Sequence, residues 1–411
     1  MRTFGHNSWA FIQGLSWTVA LRFVVRGIAV IRAIVLARLL DPIGFGVFGI
    51  AIMALSFIEL MTETGINVFF LQKKGKIEKY LNTAWTVSII RGILISLLIM
   101  LASGPVATFF GSSQAKNLLM LIAVIPVIRG FINPSIIKFQ KNLEFDREFA
   151  VKSTLTILET VLMVIFCWWL VSPVGLVLAM IVTAVCEVAI SFIFIRPWPK
   201  FGFKVSQIWE IVSSGKWVTG FGILDYIFTQ GDNIVVGRLL GTASLGIYRL
   251  SYTMSTLPLT EISDVFYKVA FPTLSKMISE KKNVKEAMLK IVSTICILAT
   301  LAGFVIWWAA PYIVLLLGTK WTSTIGVIKV LAFLGILRSI SFAFNSVFMA
   351  YGKQKYVTVI LLTSVAGLLA TIVPLVNIFG LVGAGYSTII GAGLSVPVAI
   401  ILFSKVLHGL R

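Results

Sequence analysis

Eight cations and eight acids fall inside stretches apolar enough to cross a bilayer. The cations are Arg22, Arg26, Arg32, Arg91, Arg129, Arg249, Lys329 and Arg338. The acids are Glu59, Glu63, Glu159, Glu187, Asp225, Asp232, Glu261 and Asp264. A charge at bilayer depth costs about 3 kcal/mol on insertion scales, so each needs a partner, a watery cavity or a substrate. Arg22 and Arg26 stand four apart and share one helix face with Thr18. Arg32 lies nearer the outer end, roughly 80–120° round the same helix. Glu59, Glu63, Ser56 and Asn67 form a second stripe, and Asp225, Thr229 and Asp232 a third.

Two readings compete for these charges. Equal numbers permit a paired structural network, in which Glu59 and Glu63 are the natural partners of Arg22 and Arg26. The sharper reading is a cationic chamber in the middle and outer half of the membrane. Guanidinium groups grip phosphate through two parallel hydrogen bonds, and a low-dielectric wall strengthens the attraction. The candidate ligands for an anionic, phosphate-bearing substrate are therefore Arg22, Arg26, Arg249, Arg32 and Arg338. Asp225 and Asp232 are candidates for coupling to H⁺ or Na⁺, against the alternative that they pair with Arg32 or Arg338. Glu59, Glu63, Glu261 and Asp264 are candidate gating or structural charges. No other cofactor and no metal is expected.

The elements that must position these groups follow from composition. Of 411 residues, 58% are hydrophobic and 12% charged, and the mean hydropathy is +0.99. A soluble domain carries about twice that charge. Soluble enzymes, disordered chains and coiled coils are excluded, and an all-α polytopic membrane protein remains. Twelve spans fit, at about 10–37, 43–69, 81–103, 115–138, 150–171, 174–195, 212–237, 245–272, 287–317, 324–349, 356–377 and 381–404. Pro42, Pro105, Pro173, Pro311 and the region from Gly380 to Gly385 are expected to punctuate them.

Lys and Arg crowd alternate loops, which places both termini in the cytoplasm. The net charge of +19 is spread over short loops, so nucleic acid is not an expected partner. Cys167, Cys186 and Cys296 lie in apolar runs without metal spacing. His6 and His408 are near the termini, and Gly215-Lys216-Trp217 lacks the features of a phosphate loop. Neither catalysis nor nucleotide-driven pumping is expected. The first apolar stretch has no cleavable signal pattern.

The chain repeats itself. Arg38-Leu39-Leu40 is followed by Gly46-Val47-Phe48, and 200 positions later Arg238-Leu239-Leu240 is followed by Gly246-Ile247-Tyr248. Six spans per half make this a parallel repeat, with lobes at 1–200 and 201–411 and a binding site expected between them.

Residues 37–72 resemble the first-repeat segment of bacterial polysaccharide exporters. These are the lipid-linked oligosaccharide flippases of the multidrug/oligosaccharidyl-lipid/polysaccharide (MOP) superfamily. Residues 231–259 and 269–276 resemble the second-repeat segment of that family. The likeness is carried by Asp232-Asn233, Gly237-Arg238, Leu245-Gly246-Ile247-Tyr248 and Phe271-Pro272. The resemblance implies two six-helix lobes in a V, alternating access, and a glycan on a polyprenyl diphosphate carried to the outer leaflet of a bacterial inner membrane. It implies membrane lipids, a polysaccharide polymerase and glycosyltransferases as partners. Relatives that flip the peptidoglycan precursor use arginines on the first and eighth helices, a placement that Arg22, Arg26 and Arg249 fit. Members often carry two further C-terminal helices, for which this length leaves no room. The alternatives are a cation-coupled multidrug antiporter of the same fold, which an arginine-bearing first span disfavours, and a membrane-embedded glycan polymerase or ligase, for which the external loops are too short.

Overall fold

A computed structural model describes residues 24–72, 78–142, 144–204, 206–208, 210, 216–280 and 284–408. Every regular element among them is helical. Helix α1 is described over 24–39. It is followed by α2 (Pro42–Met61), α3 (Ile66–Gln72), α4 (Glu78–Phe109), α5 (Ser113–Ile122) and α6 (Val124–Gly130). A 3-10 turn (Pro134–Ile137), α7 (Lys138–Lys141), α8 (Phe145–Leu170) and α9 (Val174–Ile193) come next. The later helices are α10 (Lys216–Ser279), α11 (Lys285–Leu317), α12 (Thr324–Ala350) and α13 (Gln354–His408). Seven helices among the described residues are long and apolar enough to cross a membrane, or eight if the bent pair after Ser113 is one span. The chain is a multi-pass membrane protein. It forms two compact units, one up to Ile223 and one from Leu224 onward.

Two helices are too long for one crossing. As straight rods, α10 and α13 would run roughly 95 and 80 Å, against a hydrocarbon core of about 30 Å. Each is interrupted once, at Gly241 (φ 83°) and at Gly380 (φ 58°). These positive values suit a residue without Cβ. The halves of α13 then fold back on each other. A Cβ on Gly383 would lie 1.9 Å from the Leu375 carbonyl oxygen, and one on Gly367 would lie 2.9 Å from Gly391 Cα. Both pairs are centred on the residue before Gly380, the signature of an antiparallel hairpin. Within this second unit α11 packs on α12, and α12 on α13.

The 200-residue repeat is visible in the backbone. Asp41 caps α2 by accepting from Gly44 N at 2.7 Å, and Pro42 occupies the first turn. At the equivalent position Gly241 breaks α10. The same segment thus marks a helix break in each unit.

In the first unit α4 packs on α5 and α6, α6 on α9, and α8 on α9. Helices α4 and α6 touch backbone to backbone. A Cβ on Gly92 would lie 2.3 Å from Pro126 O, and one on Gly130 would lie 3.0 Å from Ser88 O.

Several expected boundaries are corrected. Span 43–69 is not one helix. Thr62 Oγ1 donates to Ile58 O (2.8 Å), Gly65 has φ 68°, and Gly65 N donates to Glu63 Oε1 (3.0 Å), so α2 ends at Met61. Asn67 therefore leaves the stripe of Glu59. Span 115–138 is broken too, with a bend of 71° between Ser113–Gly130 and Pro134–Lys141. Asn133 causes the bend. Its Oδ1 accepts from Ser135 N (3.0 Å), while its Nδ2 donates to Ile195 O and Pro197 O, both at 3.2 Å. Pro105 and Pro311 do not end their helices; each sits near the C-terminal end of a longer one.

Candidate functional site

The bend after Gly130 leaves a cavity of about 410 Å³ inside the first unit. Six different segments bring polar or charged side chains to it: Glu63 from the α2–α3 turn, Arg91 from α4, Arg129 from the last turn of α6, Gln140 from α7, Glu148 and Lys152 from the start of α8, and Glu187 from α9. Arg91 Nη2 donates to Glu59 O (2.7 Å) and to Glu63 Oε2 (3.1 Å). Gln140 Nε2 donates to Glu148 Oε1 (2.7 Å), which also accepts from Lys152. Arg129 Nε faces Glu187 Oε2 at 3.7 Å, too long for a hydrogen bond. Thr64 Oγ1, Arg91 Nε and Arg129 Nε are buried with no hydrogen-bond partner among the described protein atoms.

The second unit has its own charged core. Asp232 is fully buried. Its Oδ2 accepts from Tyr248 Oη (3.0 Å), and its Oδ1 from Asn233 N (2.8 Å) and Asn233 Nδ2 (3.2 Å). Arg338, on α12, is also buried. Its Nη2 donates to Phe228 O at 3.2 Å, and its guanidinium lies 4.4 Å from the Phe228 ring centre and 5.4 Å from that of Tyr252. Cation–π contact and a carbonyl replace a direct carboxylate partner here.

The sequence candidates fall out as follows. Arg22 and the Asp264 side chain lie outside the described residues. Arg26 is exposed on α1, and Arg249 is half-buried about two turns into the second segment of α10. Arg32 is engaged, its Nη1 donating to Glu159 Oε1 at 3.0 Å. A role on diphosphate would have to share that guanidinium. Arg338 is enclosed in its own unit rather than presented at a surface. Glu59 is half-buried on α2, Glu63 takes Arg91, and Glu261 is buried on α10.

Asp225 and Asp232 do share a face of α10, but Asp225 is exposed while Asp232 is fully buried. Seven residues separate them by about 10 Å along the axis, so one cation cannot bind both. Asp232 turns instead to Tyr248, which the sequence showed only as part of the repeat and of the family likeness, not as a partner for an acid. Gln140, Glu148 and Lys152 were likewise missed as a wall. They sit at the start of α8 and just before it, and only the bend aims them back into the unit. Among the described residues no group of three His, Cys, Asp or Glu is placed to hold a metal ion.

The sequence profile described as polysaccharide biosynthesis protein matches residues 35–326, from the end of α1 to the start of α12. The chain belongs to that family. Among its relatives is the lipopolysaccharide biosynthesis protein WzxC of Escherichia coli (strain K12), 21% identical over 83% of this chain and 70% of WzxC. Another is the teichuronic acid biosynthesis protein TuaB of Bacillus subtilis (strain 168), 25% identical over 72% of this chain and 62% of TuaB. The fold is that of MOP-superfamily transporters. The lipid II flippase MurJ, in an inward closed conformation, superposes with a TM-score of 0.76 at 16% identity, covering 94% of this chain and 87% of MurJ. An inward-facing multidrug resistance MATE family transporter gives 0.72 at 14% identity, with 94% of each chain covered.

Proposed function

We propose that this polysaccharide-biosynthesis family member is a flippase. It carries a polyprenyl-diphosphate-linked oligosaccharide from the cytoplasmic to the outer leaflet by alternating access of its two halves. One observation carries the reading: a polysaccharide-biosynthesis sequence profile covers a chain whose long helices are built to span a membrane. We read it as a transporter and not an enzyme, because its fold is shared with solved transporters. Support comes from WzxC and from the succinoglycan biosynthesis transport protein ExoT of Rhizobium meliloti (strain 1021), 22% identical over 79% of this chain. Arg22, Arg26 and Arg249 hold the diphosphate in this reading, and the polyprenyl tail stays in lipid. The membrane is a bacterial inner membrane with both termini on the cytoplasmic side. A polymerase and glycosyltransferases act beside it. Coupling, if to H⁺ or Na⁺, centres on Asp232 alone, since Asp225 is too far away to share the ion.

The test is surface polymer in a strain that depends on this protein. Arg26→Ala with Arg249→Ala should abolish it while membrane abundance is kept, and Arg→Lys should rescue only in part, because a point charge loses the fork geometry. Normal polymer in the double alanine variant would refute the diphosphate role. The MATE-like fold makes antiport of cationic drugs the second reading. Drug resistance that survives loss of both arginines would favour it.

A further inference from the structure

The cavity of the first unit has a composition that the diphosphate-binding arginines do not explain. Arg91, Arg129 and Lys152 line it, and so do Glu63, Glu148 and Glu187, so its charge balances. An oxyanion can only accept hydrogen bonds and would meet three carboxylates there. A sugar hydroxyl both donates and accepts, and matches a wall that carries both donors and acceptors. The hydrogen-bonding capacity of that wall is also partly unspent. Arg129 and Glu187 face each other at 3.7 Å without a hydrogen bond, and Thr64 Oγ1, Arg91 Nε and Arg129 Nε are buried without a protein partner. Buried donors are rarely left so, because an unmade bond forfeits the solvation that burial removed. The volume of about 410 Å³ is in the range of small-ligand sites and too small for a long chain.

We propose that this cavity is a saccharide subsite that takes a neutral, hydroxyl-rich sugar of the carrier-linked glycan. Arg129 and Glu187 bracket vicinal hydroxyls, and Thr64 and Arg91 complete the shell. The subsite rests on the flippase reading and deepens it, since it separates recognition of sugar from recognition of phosphate. It also explains why so many charges lie within one unit.

The experiment measures binding of three radiolabelled lipids to the full-length protein in nanodiscs. They are undecaprenyl diphosphate and its single-sugar N-acetylglucosamine and galactose forms. The wild type should hold at least one sugar-bearing lipid about tenfold more tightly than the bare carrier, as a site built for hydroxyls rejects a ligand lacking them. Glu187→Gln and Thr64→Val should each erase that preference and leave bare-carrier affinity unchanged. Thr64→Val removes only a buried, unpartnered hydroxyl, so it should fold even if Glu187→Gln does not; a single size-exclusion peak checks both. A preference that survives in both folded variants, or is absent from the wild type, overturns the subsite. Failure of the wild type to bind any of the three lipids overturns the flippase reading itself.

Discussion

Replacing Gly92 by alanine tests whether the backbone contact of α4 with α6 sets the cavity. The added Cβ would lie 2.3 Å from Pro126 O and 3.1 Å from Pro126 C, whereas ordinary contact begins at 3.4 Å. The obstacle is helix backbone, which cannot rotate away as a side chain does. The helices must separate by about 1 Å, and overpacking of this kind costs about 1–3 kcal/mol. Alanine also favours a helix over glycine by up to about 1 kcal/mol, which would mask part of that cost. Gly393→Ala provides the correction, because it lies inside α13 and a Cβ there meets nothing within 4 Å. The helix-propensity gain is common to both variants and cancels in their difference. That difference should therefore be about 1–3 kcal/mol, with Gly92→Ala the less stable. Unfolding of the purified protein in mixed micelles with increasing SDS measures it. Since Arg91 and Arg129 are the immediate neighbours of Gly92 and Gly130, transport should fall with Gly92→Ala as well. Equal midpoints for the two alanine variants would refute the close-packing argument.

Two further substitutions probe the charged cores. Tyr248→Phe removes one hydrogen bond to the fully buried Asp232 carboxyl, and should destabilise by about 1–3 kcal/mol in the same titration; an unchanged midpoint would mean that the hydroxyl carries no weight there. Arg91→Ala, Glu63→Ala and the double variant form a thermodynamic cycle on a pair 3.1 Å apart and about one quarter exposed. The coupling should be roughly 0.5–2 kcal/mol, as for other polar pairs within membranes and for ion pairs partly open to water, and strict additivity of the single effects would dismiss the pair as a structural tie.

Much was legible in the residues. Apolar runs of span length determine an all-helical membrane protein, because lipid offers no partner for an unpaired backbone group. The repeat of Arg38-Leu39-Leu40 at Arg238-Leu239-Leu240 marked the breaks at Asp41 and Gly241, since a backbone reversal needs a cap or a residue without Cβ. The resemblance of residues 37–72, 231–259 and 269–276 to polysaccharide exporters pointed to the family. Local chemistry of this kind acts over a few residues and leaves its mark in order along the chain.

The tertiary structure decided which charges meet. Helix periodicity placed Asp225 and Asp232 on one face, yet one is exposed and the other fully enclosed, because burial depends on what packs against each turn. Arg32 finds Glu159 and Arg91 finds Glu63, 127 and 28 residues away along the chain. A bend at Asn133, held by carbonyls more than sixty residues downstream, turns Gln140 toward a cavity that no sequence window contains. Pairing energy depends on distance in space, and helix packing sets that distance only after the whole unit has assembled.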